Sequence, residues 1–495
     1  MKKVTLCFIF LIFIYIPVSL QAQSKSKKNA TAVAESGHEM VFNIKGAQDS
    51  MVYLAIHYRD KLMLRDSARL QKPGKYIFKG TNTLDDGLYT LVSQKKTPYL
   101  NFIIDRNQHF EYNLDTTYNT ANFSVINSPQ NAEMLAFQQK TASAQLRVKE
   151  IQEKRKKFEN TRQTDSVTYY TEQLQLVNKE MTDFIHKLIE RNPDFLFSKL
   201  QKAYQPITIP DPPVRSDGSI DSNFQFVYYR THFWDNVDLQ DNRFIFLPVL
   251  EPMYNEYFTK VLFYQEVDTV THYIDIFLDK VKGDSLMYRY FLERLSYQFE
   301  TSKLLGHDAV FVHIVKNNHL QGKVNWLEPS TLKKYEKRIN ELEPLLIGKK
   351  GPELIIADTS GKKWYSSHQL PDQYVILWFF DPTCHTCKKE SQKLKILYDS
   401  LEKAGTRNFE IYAIGNDSDE NRWKRYVRDN QFPWINVGGH VANVDYRDAY
   451  NVMANPTMYI LNEKREIILN RRIDVEKIPE FISQYEKIET LKKNQ

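Results

Sequence analysis

Cysteine is nearly absent from this chain. Its 495 residues contain three, Cys7, Cys384 and Cys387, which argues against a fold held by a disulfide framework. Charge of one sign is missing too. The formal net charge is +6 at pH 7, with lysine and glutamate spread along the length. There is no strong basic patch, so nucleic acid is not expected as a partner. No segment after the N-terminal stretch is long and apolar enough to cross a bilayer. The histidines do not cluster. His307, His313 and His319 recur at a spacing that turns each about 120° from the last on a helix, so they cannot converge on one metal.

What is present begins with a secretory pattern. Lys2 and Lys3 precede an apolar stretch from about Val4 to Val18, and cleavage after Ala22 is expected, which makes residues 1–22 a signal peptide and places the protein in the periplasm or cell envelope. Cys7 lies inside the apolar stretch, which argues against a lipid-modified cysteine. Loss of Lys2 and Lys3 lowers the net charge from +6 to +4. Only Cys384 and Cys387 then remain.

The mature length suggests three domains. Residues 23–39 are small and polar and read as a flexible leader. Over 40–125, short runs such as MVYLAIHYR, GKYIFKG and YLNFIID are rich in β-branched and aromatic residues and are punctuated by Gly, Asp or Asn. That pattern predicts an antiparallel β-sandwich-like module. His57, His109 and Asp105 are scattered through it and form no catalytic constellation. From residue 126 the apolar period lengthens to three and four, which predicts an all-α module over 126–345 whose stripes are mostly core. A loop with four prolines at 205–223 interrupts it. Residues 346–495 alternate strand and helix. YVILWFF (374–380) has the unbroken apolar character of a strand buried on both faces, and FEIYAIGND is a second such strand. This order predicts a C-terminal thioredoxin-like α/β domain.

The two mature cysteines sit in WFFDPTCHTCKKE (378–390), at the end of the first buried strand and the start of a helix-like segment. A staple between cysteines this close removes little chain entropy. A structural zinc site needs further ligands, and no second pair exists. Redox chemistry is favoured; a metal half-site and an inert pair stay open. Pro382 and Thr383 suit a helix entry, which puts Cys384 beside the first free backbone N–H groups, where a thiolate is stabilised. Cys387 falls one turn later on the same face, more buried, where it can attack Cys384 once that sulfur is joined to a substrate. His385 lies between them as a second positive group or an exposed spacer.

The segments GPELIIADTSGKKW, VILWFFDPTCHTCKKES and NPTMYILNEKREI (351–467) resemble the thioredoxin superfamily, and more closely the TlpA/ResA group of periplasmic thiol–disulfide oxidoreductases. The full layout is similar to multidomain envelope proteins of Bacteroidetes. The resemblance implies that Cys384 attacks and Cys387 resolves, with the pair cycling through a Cys384–Cys387 disulfide. It implies that Pro456 is a cis-proline opposite them, leaving the Asn455 carbonyl toward the substrate chain, with His385 at the same edge. It gives Glu390, three residues after the second cysteine, as an active-site acid or a solvated partner in its charge run. Two positions depart from the pattern. Thr383 stands where tryptophan is usual, and Trp378 replaces the buried aspartate of ordinary thioredoxins, which removes one proton acceptor and leaves Glu390 as the candidate.

The leading expectation is therefore reductive exchange with protein thiols and disulfides in the envelope, with electrons from a membrane donor and no metal or small-molecule cofactor. A peroxiredoxin is disfavoured, because Asp381 and Leu377 occupy the positions where that family carries Thr or Ser and Pro ahead of its reactive cysteine. The remaining alternative, from another class, is an envelope binding protein whose front modules recognise a partner.

Overall fold

The computed structural model describes residues 37–117 and 119–493. The expected signal and most of the leader lie outside the described residues. The first module has eight strands: β1 (His38–Lys45), β2 (Met51–Tyr58), β3 (Lys61–Lys72), β4 (Lys75–Gly80), β5 (Gly87–Val92), β6 (Pro98–Ile104), β7 (His109–Asp115) and β8 (Ser124–Ile126). They bond in the order β6-β5-β2-β3-β4-β1-β7-β8. In β1, alternate residues Met40, Phe42 and Ile44 are fully buried, the period-two signature of a half-solvated strand. The long β3 pairs with β2 from Lys61 to Arg69 and with β4 at Leu70 and Lys72. It thereby joins two halves whose inward residues share one core, as in a sandwich. All pairings are antiparallel except β1 with β7, which is parallel. That pair aligns Phe42 with Tyr112, and the two rings stack at 5.9 Å.

His57 is buried on β2, its Nε2 at 3.2 Å from Thr90 Oγ1. Burial lowers its pKa to about 4. The folded value lies below the unfolded one, so as pH falls the unfolded chain takes up a proton first. Stability is full above about pH 6.5 and drains as pH falls from there toward 4, by about 3 kcal/mol for this group. Acidification from pH 7 to 4.5 is accordingly expected to lower the denaturation midpoint of the β module, and His57→Phe to blunt that fall. A midpoint indifferent to pH in the wild type contradicts this.

The middle of the chain is helical: α1 (Pro129–Asn160), α2 (Thr164–Arg191), α3 (Leu196–Ala203), α4 (Phe224–His232), α5 (Leu250–Glu256), α6 (Val267–Val281), α7 (Ser285–Glu300), α8 (His307–Ile314) and α9 (Pro329–Leu342). The chain divides into two compact units, Met1–Gln265 with Ile276–Tyr290, and Glu266–Asp275 with Phe291–Gln495. Helices α6 and α7 carry residues of both. The expectation that the helical stripes are mostly core fails for α1. Past Ala144 it has no buried residue, and Leu146 is 71 % exposed. Phe158 stacks on Tyr170 of α2 at 5.6 Å, and exposed pairs such as Glu150–Lys154 within α1 and Arg147–Glu180 across to α2 flank this stretch. His307, His313 and His319 each have a separate partner, Ser302, Asp275 and Ser296.

The second unit ends in the α/β domain: β9 (Ile355–Asp358), β10 (Trp364–Ser366), β11 (Tyr374–Phe380), α10 (His385–Ala404), β12 (Phe409–Gly415), α11 (Glu420–Asn430), β13 (Ile435–Ala442), α12 (Tyr446–Ala449), β14 (Thr457–Leu461), β15 (Ile467–Leu469) and α13 (Ile478–Lys493). The sheet order is β10-β9-β13-β12-β11-β14-β15. β11 runs parallel to β12 and antiparallel to β14. Tyr374, Ile376, Trp378 and Phe380 face one core, and Val375, Leu377 and Phe379 the other. Burial on both faces is why the run shows no alternation. Gly405 closes α10 in the left-handed conformation, φ 68°. Asn470 ties this domain to the preceding helical segment of the same unit through the Leu345 carbonyl, 3.1 Å away.

Candidate active site

β11 delivers the chain to Asp381, and a turn follows. Asp381 Oδ1 accepts the Thr383 N–H at 2.6 Å and its hydroxyl at 2.7 Å, and the Asp381 carbonyl accepts the Cys384 N–H at 3.1 Å. This turn sets Cys384 at the N-cap of α10, where its Sγ accepts the Cys387 N–H at 3.3 Å. The sulfur therefore occupies the place a serine or aspartate oxygen usually takes, at the positive end of a twenty-residue helix. Cys384 is half-buried and Cys387 fully buried, and both are unbonded thiols.

Burial pushes the Cys387 thiol up to about 12. The Cys384 sulfur and the Asp381 carboxylate act in the same direction, against a backbone hydrogen bond at Asp381. Resolution requires the Cys387 thiolate, so the environment in the resting dithiol holds that sulfur in reserve.

Opposite the pair, the Asn455–Pro456 bond is cis. The Asn455 carbonyl lies 3.7 Å from Cys384 Sγ. The Asn455 side-chain oxygen accepts from Asn416 Nδ2 at 3.4 Å, and the Asn416 N–H donates to the Phe380 carbonyl at 2.7 Å. Arg447 donates in turn to the Asn416 side chain. The ends of β11 and β12 and the proline loop are thus tied together around the half-buried sulfur.

Cys384, Cys387, Asn455 and Pro456 converge. His385 is exposed on the first turn of α10. Glu390 pairs with Lys393 at 3.3 Å, and Lys393 also reaches Glu476 at 3.1 Å. The Asp381 carboxylate is among the groups that bear on Cys387, and it was not singled out from the sequence. Asn416 was also missed. Both stand at the carboxyl ends of adjacent parallel strands, where α/β sheets collect functional groups, so a signal existed for them. Trp378 fills the space of the absent aspartate and donates through Nε1 to Ser391 Oγ at 3.0 Å. Among the described residues no group of three or more His, Cys, Asp or Glu side chains could hold a metal, and no helix is long and apolar enough to cross a membrane.

A thioredoxin-like family model matches residues 372–467, and a domain of unknown function (DUF5106) matches 220–343. Thiol-disulfide oxidoreductase ResA of Bacillus cereus is 27 % identical over 154 residues, covering 30 % of this chain and 83 % of its own. A solved thioredoxin-like protein from Bacteroides caccae is 20 % identical, with a TM-score of 0.43, over 56 % of this chain and 98 % of its own. A solved domain of a possible thiol-disulfide isomerase from Cytophaga hutchinsonii is 31 % identical, with a TM-score of 0.27, over 30 % and 98 %.

Proposed function

Since residues 372–467 are a thioredoxin-like domain of the TlpA/ResA kind, we propose that this protein is a thiol–disulfide oxidoreductase that exchanges disulfides with protein partners through Cys384 and Cys387. The observation that carries the reading is the placement of Cys384 Sγ, which accepts a helix N-terminal N–H and stands 3.7 Å from the Asn455 carbonyl. In the first step the Cys384 thiolate attacks one sulfur of a substrate disulfide and the other sulfur leaves as a thiolate. Cys387 then loses its proton and attacks Cys384 Sγ. The mixed disulfide breaks, the Cys384–Cys387 disulfide forms, and the substrate sulfur leaves with the electron pair and is protonated. The substrate gains two electrons and the dithiol loses them. Pro456 and Asn455 line the edge where an extended substrate chain pairs with the loop. His385 and Glu390 belong to the rim, the first exposed near the helix start and the second, paired with Lys393, as the candidate proton acceptor.

The direction we propose is reductive, in the cell envelope, with a membrane thiol donor restoring the dithiol, as the resemblance of the sequence to the TlpA/ResA group implies. Replacement of Cys387 by serine removes the resolving sulfur and leaves the attack intact. That variant is expected to accumulate mixed disulfides with envelope proteins, visible on non-reducing gels, abolished by reductant and absent when Cys384 is also serine. No adduct above the double-mutant background would sink the reading.

A further inference from the structure

The proposed exchange needs a buried thiol to ionise, and no cationic side chain is among the groups that bear on it most. The groups facing Cys387 on its own segment are the Cys384 sulfur and the Asp381 carboxylate, and both oppose its ionisation. Farther along α10, Glu390 is held by Lys393. From β11 come Trp378 and Phe380, which share its core. From α11 comes Tyr426, packed on that core, while Arg422 of the same helix is bound at 2.6 and 2.7 Å to Asp417. Neutral hydroxyls are what remains.

Those hydroxyls have a direction. An indole nitrogen can only donate, so in the 3.0 Å bond between Trp378 Nε1 and Ser391 Oγ the serine accepts. Ser391 lies one turn beyond Cys387 on α10 and is fully buried. Its own hydrogen is left to give. The Tyr426 ring packs against the core that contains Cys387 and that Cys384 also touches, and Ser391 and both cysteine sulfurs bear on the acidity of its hydroxyl. It is itself buried and makes no bond of hydrogen-bonding length among the described residues. Its ring is fixed by Phe380 and Phe432, with centroids at 5.9 and 5.6 Å. A buried hydroxyl without a partner is uncommon and calls for a reason.

We infer that Tyr426 is a positioning residue for resolution, its hydroxyl accepting from Ser391 and donating to Cys387 Sγ as that sulfur becomes a thiolate. The inference rests on the dithiol exchange proposed above. Both bonds are open in the resting dithiol and close when charge develops on Cys387. Tyr426 keeps its proton throughout. Burial pushes its phenol up to about 12, so it remains a donor across the working range. The proton lost by Cys387 leaves to solvent and is matched by the one taken up by the departing substrate thiolate. The Trp378–Ser391–Tyr426 line thus provides a neutral donor where ordinary thioredoxins keep a carboxylate.

The test uses the full-length reduced protein and a chromogenic aryl disulfide, each half of which is released as a coloured thiolate. The first release reports attack by Cys384 and the second resolution by Cys387. Tyr426→Phe keeps the ring packing and removes the hydroxyl. It is expected to leave the first release at the wild-type rate and to slow the second roughly tenfold, the scale of one hydrogen bond to a charged group. The pH profile of the second release should move upward. Ser391→Ala should act in the same direction with a smaller effect. An unchanged second release in Tyr426→Phe, or equal slowing of both releases, overturns the tyrosine's role while leaving dithiol exchange intact. A wild type that releases only one thiolate overturns the exchange reading itself, and this inference with it.

Discussion

Cys384→Ser is expected to reduce insulin-disulfide reduction at least about a thousandfold, to the uncatalysed background, as loss of an enzyme's nucleophile generally does. The variant separates two tasks of one sulfur. In the structure Cys384 Sγ caps α10 by accepting the Cys387 N–H. It is also the half-buried atom facing the Asn455 carbonyl. A serine oxygen performs the first task better than sulfur, since serine is among the preferred N-caps and a good cap contributes about 1 kcal/mol. It cannot perform the second, because its hydroxyl does not ionise under these conditions and forms no disulfide. Activity should vanish while the thermal midpoint stays level or rises slightly. Retained turnover, or a loss that only accompanies unfolding, would contradict the assignment.

Gly415→Ala is expected to destabilise the C-terminal domain by about 3 kcal/mol or more, at or above the top of the usual range for overpacking. Gly415 ends β12, and Gly438 sits beside it on β13 in the parallel register. Together they form a floor under the Trp423 ring, which is 1 % exposed. A Cβ on Gly415 would stand 2.2 Å from two atoms of that ring, and one on Gly438 would stand 2.9 Å from the Gly415 carbonyl oxygen. The indole is wedged between α11 and the sheet and has no solvent side to move toward, so the strain falls on the helix. Because Tyr426 lies on the same helix, residual activity should fall with stability. Equilibrium denaturation that moves by less than about 0.5 kcal/mol would show that the ring yields after all.

Parts of this architecture were legible because short-range rules govern them. YVILWFF has the unbroken apolar character of a strand covered on both faces, and it is one. Pro382 and Thr383 marked a helix entry, and Gly405 its end. Pro456 was singled out by resemblance, and its bond is cis. β13 was not read at all. Its INVGG carries two glycines, which locally signal a turn, whereas Gly438 is there because an indole from another element needs the space. The parallel pairing of β1 with β7 was equally hidden, since hairpin-like spacing says nothing about which distant strands meet. In α1 the apolar spacing was real, yet past Ala144 its residues are at most half-buried and Leu146 faces solvent. Periodicity states which residues share a face and not whether anything covers it.

The site divides along the same line. The sequence alone determined that two sulfurs lie one turn apart at a helix start, because helix geometry and N-capping depend on neighbours within a few residues. Only the tertiary structure decided that the Asp381 carboxylate bears on the buried sulfur and that a tyrosine about forty residues along the chain packs on the same core from another helix. Desolvation and electrostatics depend on distance in space, and those distances exist only once the sheet has brought β11, α10 and α11 together.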